Sequence, residues 1–249
     1  MINDIEIITV ATHSQGLFKN LINNDFGIKV KVLGYGKKWT GFKMKFELLY
    51  EYIKNLPDDN IIVFVDGFDT KINGNLEKAK DIFIKNNYKV LFSKDNSNNF
   101  FFLRKIFTLC KNNIMVNTGL YMGRVKYLKI IFEKILKEKC KDDQRMINKN
   151  CSEFNFIEID EKEEIFFNFI KKNINTKAIF IQYPGSKPGM SIFNDIKIRM
   201  KFYAQFFLDW YFMFLLFITI LLKSKKVIVL LIISNILLFY NLDVDLSCI

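Results

Sequence analysis

From residue 5 to residue 183 the chain alternates two apolar patterns. Short runs of β-branched and aromatic residues predict strands: IEIITVA (5–11), KVKVLGY (29–35), IIVFVD (61–66), KVLFS (89–93), NTGLYMG (117–123), FIEI (156–159) and AIFIQY (178–183). Between them lie helical periodicities. In GFKMKFELLYEYIKNL (41–56), Phe42, Phe46, Leu49, Ile53 and Leu56 recur at steps of four, three, four and three, one face of a helix. NLEKAKDIFIKNN (75–87) and VKYLKIIFEKILKE (125–138) repeat the theme. Strands alternating with helices predict an α/β domain over residues 1–195, with a mixed, mostly parallel, Rossmann-like sheet flanked by helices. In such sheets ligands gather at the carboxyl ends of the strands. IIVFVDGFDT (61–70) places Asp66 and Asp69 at one of those ends.

Residues 196–249 differ in kind. FYAQFFLDWYFMFLLFITILL (202–222) is almost wholly apolar, with Asp209 its single charge, and VIVLLIISNILLFYNL (227–242) follows after KSKK (223–226). Helices apolar on every side need a large body to bury them, so the expectation is a membrane-associated helical hairpin or anchor. KIRMK (197–201) and KSKK balance each other in positive charge, which leaves orientation open. The N-terminus, MINDIEIITVAT, carries acids where a secretory signal would be basic. The expected location is therefore a membrane, with the α/β domain leaning to the cytoplasmic side.

Composition narrows the function classes. Lys and Arg number 37 against 26 Asp and Glu, a formal charge of +11. That suits anionic partners, but no nucleic-acid-binding signature focuses the charge, so nucleic acid is not expected. The four cysteines form no C-x-x-C pair, which predicts neither a disulfide framework nor a zinc site and fits a reducing compartment. His13 is the single histidine, so chemistry built on a histidine base or a histidine-rich metal site is disfavoured.

Two carboxylates three residues apart, on the loop leaving a buried strand, can converge on one hard cation. Mg²⁺ and Mn²⁺ take oxygen ligands, with substrate phosphates and water completing the shell. Breaking a sugar–pyrophosphate bond calls for such an ion against the charge of the leaving diphosphate. Gly67 between the acids permits a tight turn and close backbone approach. Acids just past a strand are also common as caps and turn residues.

ITVAT (8–12), VLGYGKKW (32–39), GFKMK (41–45), VFVDGFD (63–69), VNTGLYMG (116–123) and DDQ (142–144) occur in one order. Together they resemble the glycosyltransferase domain of the procollagen lysyl hydroxylases and the related collagen glucosyl- and galactosyltransferases, over roughly residues 5–190. The resemblance implies a GT-A-like fold, a UDP-sugar donor and Mn²⁺ (or Mg²⁺). It assigns Asp66 and Asp69 as metal ligands and sets Phe68 beside the nucleotide. Thr12, Trp39 and Lys43 match residues of the nucleotide region. Asn117 and Gly119 match a small-residue turn near the sugar. Asp143 and Gln144, with Asp142, match the Asp-Gln pair on the donor-sugar and acceptor side. Each has an ordinary structural reading too: Trp39 as core, Lys43 as an exposed helix lysine, Asp142 or Asp143 as a helix cap.

The family closes its metal site with a histidine after a late strand. The corresponding stretch here is IFIQYPGSKPG (179–189), with Gln182 or Tyr183 in that place. Gly185 and Lys187 fit a loop facing the diphosphate. A Gln carbonyl ligates a hard cation, more weakly than imidazole or carboxylate ligates Mn²⁺. The expected activity is transfer of a glucose or galactose from a UDP-hexose to a hydroxyl acceptor, such as hydroxylysine or galactosyl-hydroxylysine of a collagen-like chain. The alternatives are an inactive nucleotide-sugar-binding homologue and a transferase for lipid-linked acceptors.

Overall fold

The structure, a computed structural model, describes residues 4–95, 110–112, 114–168 and 175–184, with Val229 and Ile233. The chain divides into two compact units, a first that runs from Met1 to Pro188 and a second from Gly189 to Ser247. In the first unit the strands are β1 (Ile5–Val10), β2 (Val30–Leu33), β3 (Ile61–Val65), β4 (Thr70–Ile72), β5 (Val90–Lys94), β6 (Val116–Arg124), β7 (Ile157–Asp160), β8 (Phe166–Asn168) and β9 (Phe180–Gln182). The helices are α1 (Phe18–Ile22), α2 (Lys43–Ile53), α3 (Leu76–Lys85), α4 (Val125–Ile135) and α5 (Asp143–Asn150).

Six strands form the main sheet in the order β2-β1-β3-β6-β5-β7. β1 pairs parallel with β2 and β3, and β5 with β7, while β6 runs antiparallel between β3 and β5. The expected mixed, mostly parallel sheet is therefore present. β3 is buried at all five positions, as a strand covered on both faces must be. Its alternation divides the core. Ile62 and Phe64 join Phe46, Leu49 and Ile53 of α2 and Leu128, Ile131 and Phe132 of α4. Ile61, Val63 and Val65 join Ile72, Phe83, Phe166 and Phe180 on the other side. The apolar spacing of α2 thus does what its period predicts, although Phe42, its first member, is exposed.

A second sheet, in the order β4-β9-β8, joins β9, which falls within the expected strand AIFIQY, to two strands that were not expected, β4 and β8. β4 and β8 have three residues each, too few to show an alternation. β9 pairs antiparallel with β4, placing Thr70 opposite Gln182, and parallel with β8. β8 is set by Asp160, whose carboxylate accepts the N–H groups of Glu164, Ile165 and Phe166.

No helix among the described residues is long and apolar enough to cross a membrane. The two apolar runs expected to form a hairpin lie outside the described residues apart from Val229 and Ile233, which are helical and exposed.

The cysteine expectation is corrected. Cys110 and Cys151 are joined by a disulfide, their Cα atoms 5.1 Å apart across 41 residues of sequence, and Cys140 is likewise disulfide-bonded. No described cysteine is free. Spacing concealed the pairing because the fold, not a local motif, brings the segment before β6 against the end of α5. Closing a loop of that length stabilises by roughly 4 kcal/mol in the chain-entropy account. Urea unfolding without reductant should show a loss of that order in the variant carrying Cys110→Ser and Cys151→Ser.

Candidate active site

Asp66 follows β3 directly, and its N–H donates to the Gly119 carbonyl at 2.8 Å, which fastens the end of β3 to β6. Gly67 approaches β1 rather than open space: a Cβ there would lie 2.9 Å from Thr9 Oγ1. The main chain of Asp69 is fixed by β9, since Tyr183 N–H donates to its carbonyl at 2.9 Å. The two carboxylates converge. Gln182 Nε2 donates to Asp66 Oδ2 at 3.0 Å and sits 3.3 and 3.4 Å from the oxygens of Asp69. Of the two candidates for the late-strand position, Gln182 points at the acids, because it lies opposite Thr70 in the β4–β9 register.

The other oxygen of Asp66 is held by Lys45, whose Nζ lies 2.9 Å from Asp66 Oδ1 and 2.6 Å from Asp143 Oδ2. The lysine side chain is 7% exposed and lies beneath the rings of Phe42 and Phe64. Burial works against its charge, but Asp143 and Asp66 outweigh that and hold the ammonium above the ordinary lysine range. Burial raises the Asp66 carboxyl, with Lys45 opposing. Asp69 has less opposition. Burial, then the charge of Asp66, pushes it up to about 8.

α5 brings the third set of groups. Asp142 caps the helix, accepting the Arg145 N–H at 2.9 Å. Burial and the neighbouring Asp143 lift its carboxyl to about 6. Asp143 accepts the Gln144 N–H on Oδ1 and faces Lys45 with Oδ2, so both its oxygens are engaged. Gln144 Nε2 donates to Asp95 at the end of β5 at 2.6 Å.

The remaining predicted residues are placed as follows. Asn117 accepts the Gly119 N–H on its side chain at 2.8 Å, which folds the β6 backbone beside the acids. Gly119 is a bed for Gln182, since a Cβ there would lie 2.1 Å from Nε2. Phe68 packs on the His13 ring at 5.2 Å. Thr12 shares its hydroxyl with His13 Nδ1. Trp39 is 41% exposed, so it is not core, and meets Phe42 edge-on. Lys43 points elsewhere, donating to the Glu138 carbonyl. Gly185 and Lys187 lie outside the described residues.

The profile of the family described as PLOD GT domain matches residues 2–183. The chain belongs to this family. It is 33% identical over 101 residues to the procollagen-lysine,2-oxoglutarate 5-dioxygenase 2 of Mus musculus, and 33% over 103 residues to the Drosophila melanogaster procollagen-lysine,2-oxoglutarate 5-dioxygenase. Each match covers 36% of this chain and only 14% of the relative's own length. Among solved structures, the galactosyltransferase LgtC, crystallised with donor and acceptor sugar analogues, superimposes with a TM-score of 0.50 at 11% identity. That match covers 81% of this chain and 95% of LgtC. It shows a shared GT-A-type fold.

For a PLOD glycosyltransferase domain, the sequence reading missed Lys45 and Asp95. A signal for Lys45 was present: it stands three residues after Phe42 and four before Leu49, on the apolar face of α2, where an exposed lysine does not belong. Asp95 lies past the predicted end of β5, with no companion acid nearby in sequence to mark it.

Replacing Lys45 by Met should leave Asp66 and Asp143 facing each other without a counterion, at a cost of about 3–5 kcal/mol at pH 7. Loss of the ammonium removes the charge that opposes the rise of Asp66, whose folded-state value climbs further. The deficit is therefore full above that value and shrinks as pH falls and Asp66 protonates. Urea midpoints at pH 7 and pH 5 should show the smaller gap at pH 5.

Proposed function

We propose that this PLOD-type glycosyltransferase moves glucose or galactose from a UDP-sugar to a hydroxyl acceptor, using a divalent cation, Mn²⁺ or Mg²⁺. Hydroxylysine or galactosyl-hydroxylysine of a collagen-like chain is the acceptor class favoured by the family. The observation that carries the reading is the convergence of Asp66 and Asp69 on the Gln182 amide. Among the described residues no group of three His, Cys, Asp or Glu side chains could hold a metal. The donor set is thus two acids and an amide. It fits a hard cation: Gln182 Oε1 is buried without a hydrogen-bond partner, and the acids beside it crowd negative charge.

When bound, the ion supplies positive charge against the departing diphosphate. The chain's own groups do the rest. Lys45 fixes the rotamer of Asp66 and ties it to Asp143. Asp143 and Gln144 orient the acceptor side through Lys45 and Asp95, and Asp142, at about 6, lies in the range for accepting a hydroxyl proton. Trp39 and Phe68 offer aromatic surface to the nucleotide, and the Thr12 hydroxyl contacts the imidazole of His13, whose ring meets Phe68.

A second reading, binding of a nucleotide sugar without transfer, is favoured by the state of Asp66, whose two oxygens are taken by Lys45 and Gln182. Donor hydrolysis separates the two. Purified protein should release UDP from a UDP-hexose with Mn²⁺ present, and Asp66→Ala or Asp69→Ala should lower that rate by at least roughly a hundredfold. A protein that binds UDP yet releases none from any hexose donor is the inactive homologue. Cation affinity should rise from pH 6 to pH 9, because the proton held by Asp69 competes with the ion. The apolar runs of residues 202–242 support a membrane as a further partner. Their deletion should release the protein from carbonate-washed membranes.

A further inference from the structure

Gln182 is 2% exposed, and its two amide ends have unequal company. Nε2 meets both acids, whereas Oε1 is buried with no hydrogen-bond partner. The amide lies face-on to Gly119: a Cβ at that position would sit 2.1 Å from Nε2 and 2.3 Å from Oε1. The bed thus accommodates either end equally, and a half-turn of the terminal torsion exchanges donor for acceptor while the backbone stays still. The single histidine, His13, is exposed, with Nδ1 on Thr12 and Nε2 on Gln15.

We propose that the Gln182 amide is a cation-dependent gate that makes this an all-oxygen pocket. Without an ion, Nε2 bridges Asp66 and Asp69. With one, Oε1 turns inward, and the pocket discriminates in favour of hard cations, Mg²⁺ and Mn²⁺, over Co²⁺ and Zn²⁺, which imidazole ligation would favour. The inference rests on the cation-dependent reading of the site and concerns which ion enters it.

Pulsed EPR of Mn²⁺ with UDP on the full chain reads the ligand atoms directly. Wild-type protein should show no directly coordinated nitrogen, and Gln182→His should show one. By calorimetry with UDP, Gln182→His should raise the ratio of Co²⁺ to Mg²⁺ affinity roughly tenfold. Gln182→Ala, which removes the oxygen without adding bulk, should lower Mg²⁺ affinity by a similar factor. Nitrogen coordination in the wild type, or Mg²⁺ affinity undiminished in Gln182→Ala, overturns the gate while leaving cation binding in place. No Mn²⁺ held by the wild type in the presence of UDP removes the cation reading itself, and the gate with it.

Discussion

A buried ammonium between two carboxylates organises this molecule's functional end. Lys45 reaches from the first turns of α2 to the acid that ends β3 and to the acid that opens α5. Three elements distant in sequence therefore meet at one charge. An isolated ion in that environment would be costly, and the pairing offsets the cost only while all three partners stay in place. The arrangement stabilises little by itself. What it does is specify: α2 cannot slide along the sheet, nor α5 rotate, without stranding a charge away from water.

The second sheet serves the same end. It is small, but it carries Gln182 to the acids and holds the Asp69 main chain through Tyr183. Its outer strand depends on Asp160, whose burial raises its own carboxyl even as three backbone N–H groups stabilise the charge. Two acids with unlike surroundings thus stand on this sheet. Asp160 is saturated with donors and shapes the chain, while Asp69 meets only the Gln182 amide at 3.3 and 3.4 Å and is raised by burial and by Asp66.

Much of the fold was legible because its central strands are covered on both faces. IIVFV shows a continuous apolar run that few other environments would accept, NTGLYMG is buried along its length, and α2, α3 and α4 show the period of one buried face. The acid pair was legible for the same reason, since a buried strand ending in two carboxylates leaves them at the sheet's edge. What escaped depends on tertiary placement. β4 and β8, with three residues each, and α1, with five, are too short to repeat their periods. Lys43 and Lys45 stand two residues apart in similar surroundings, and only the seating of α2 decides that Lys45 faces the acids while Lys43 reaches Glu138. The Cys110–Cys151 bridge could not be read from spacing, because its ends meet only after β6 and α5 have packed.

Strand parity gives position 182 a particular freedom. Thr70 and Gln182 face each other across β4 and β9, so the residue at 182 meets the acids whatever the length of chain between them. Glutamine and histidine codons differ only in their third base. A lineage could therefore set an imidazole in place of the amide beside these acids by a single nucleotide change, with no alteration in the path of the polypeptide.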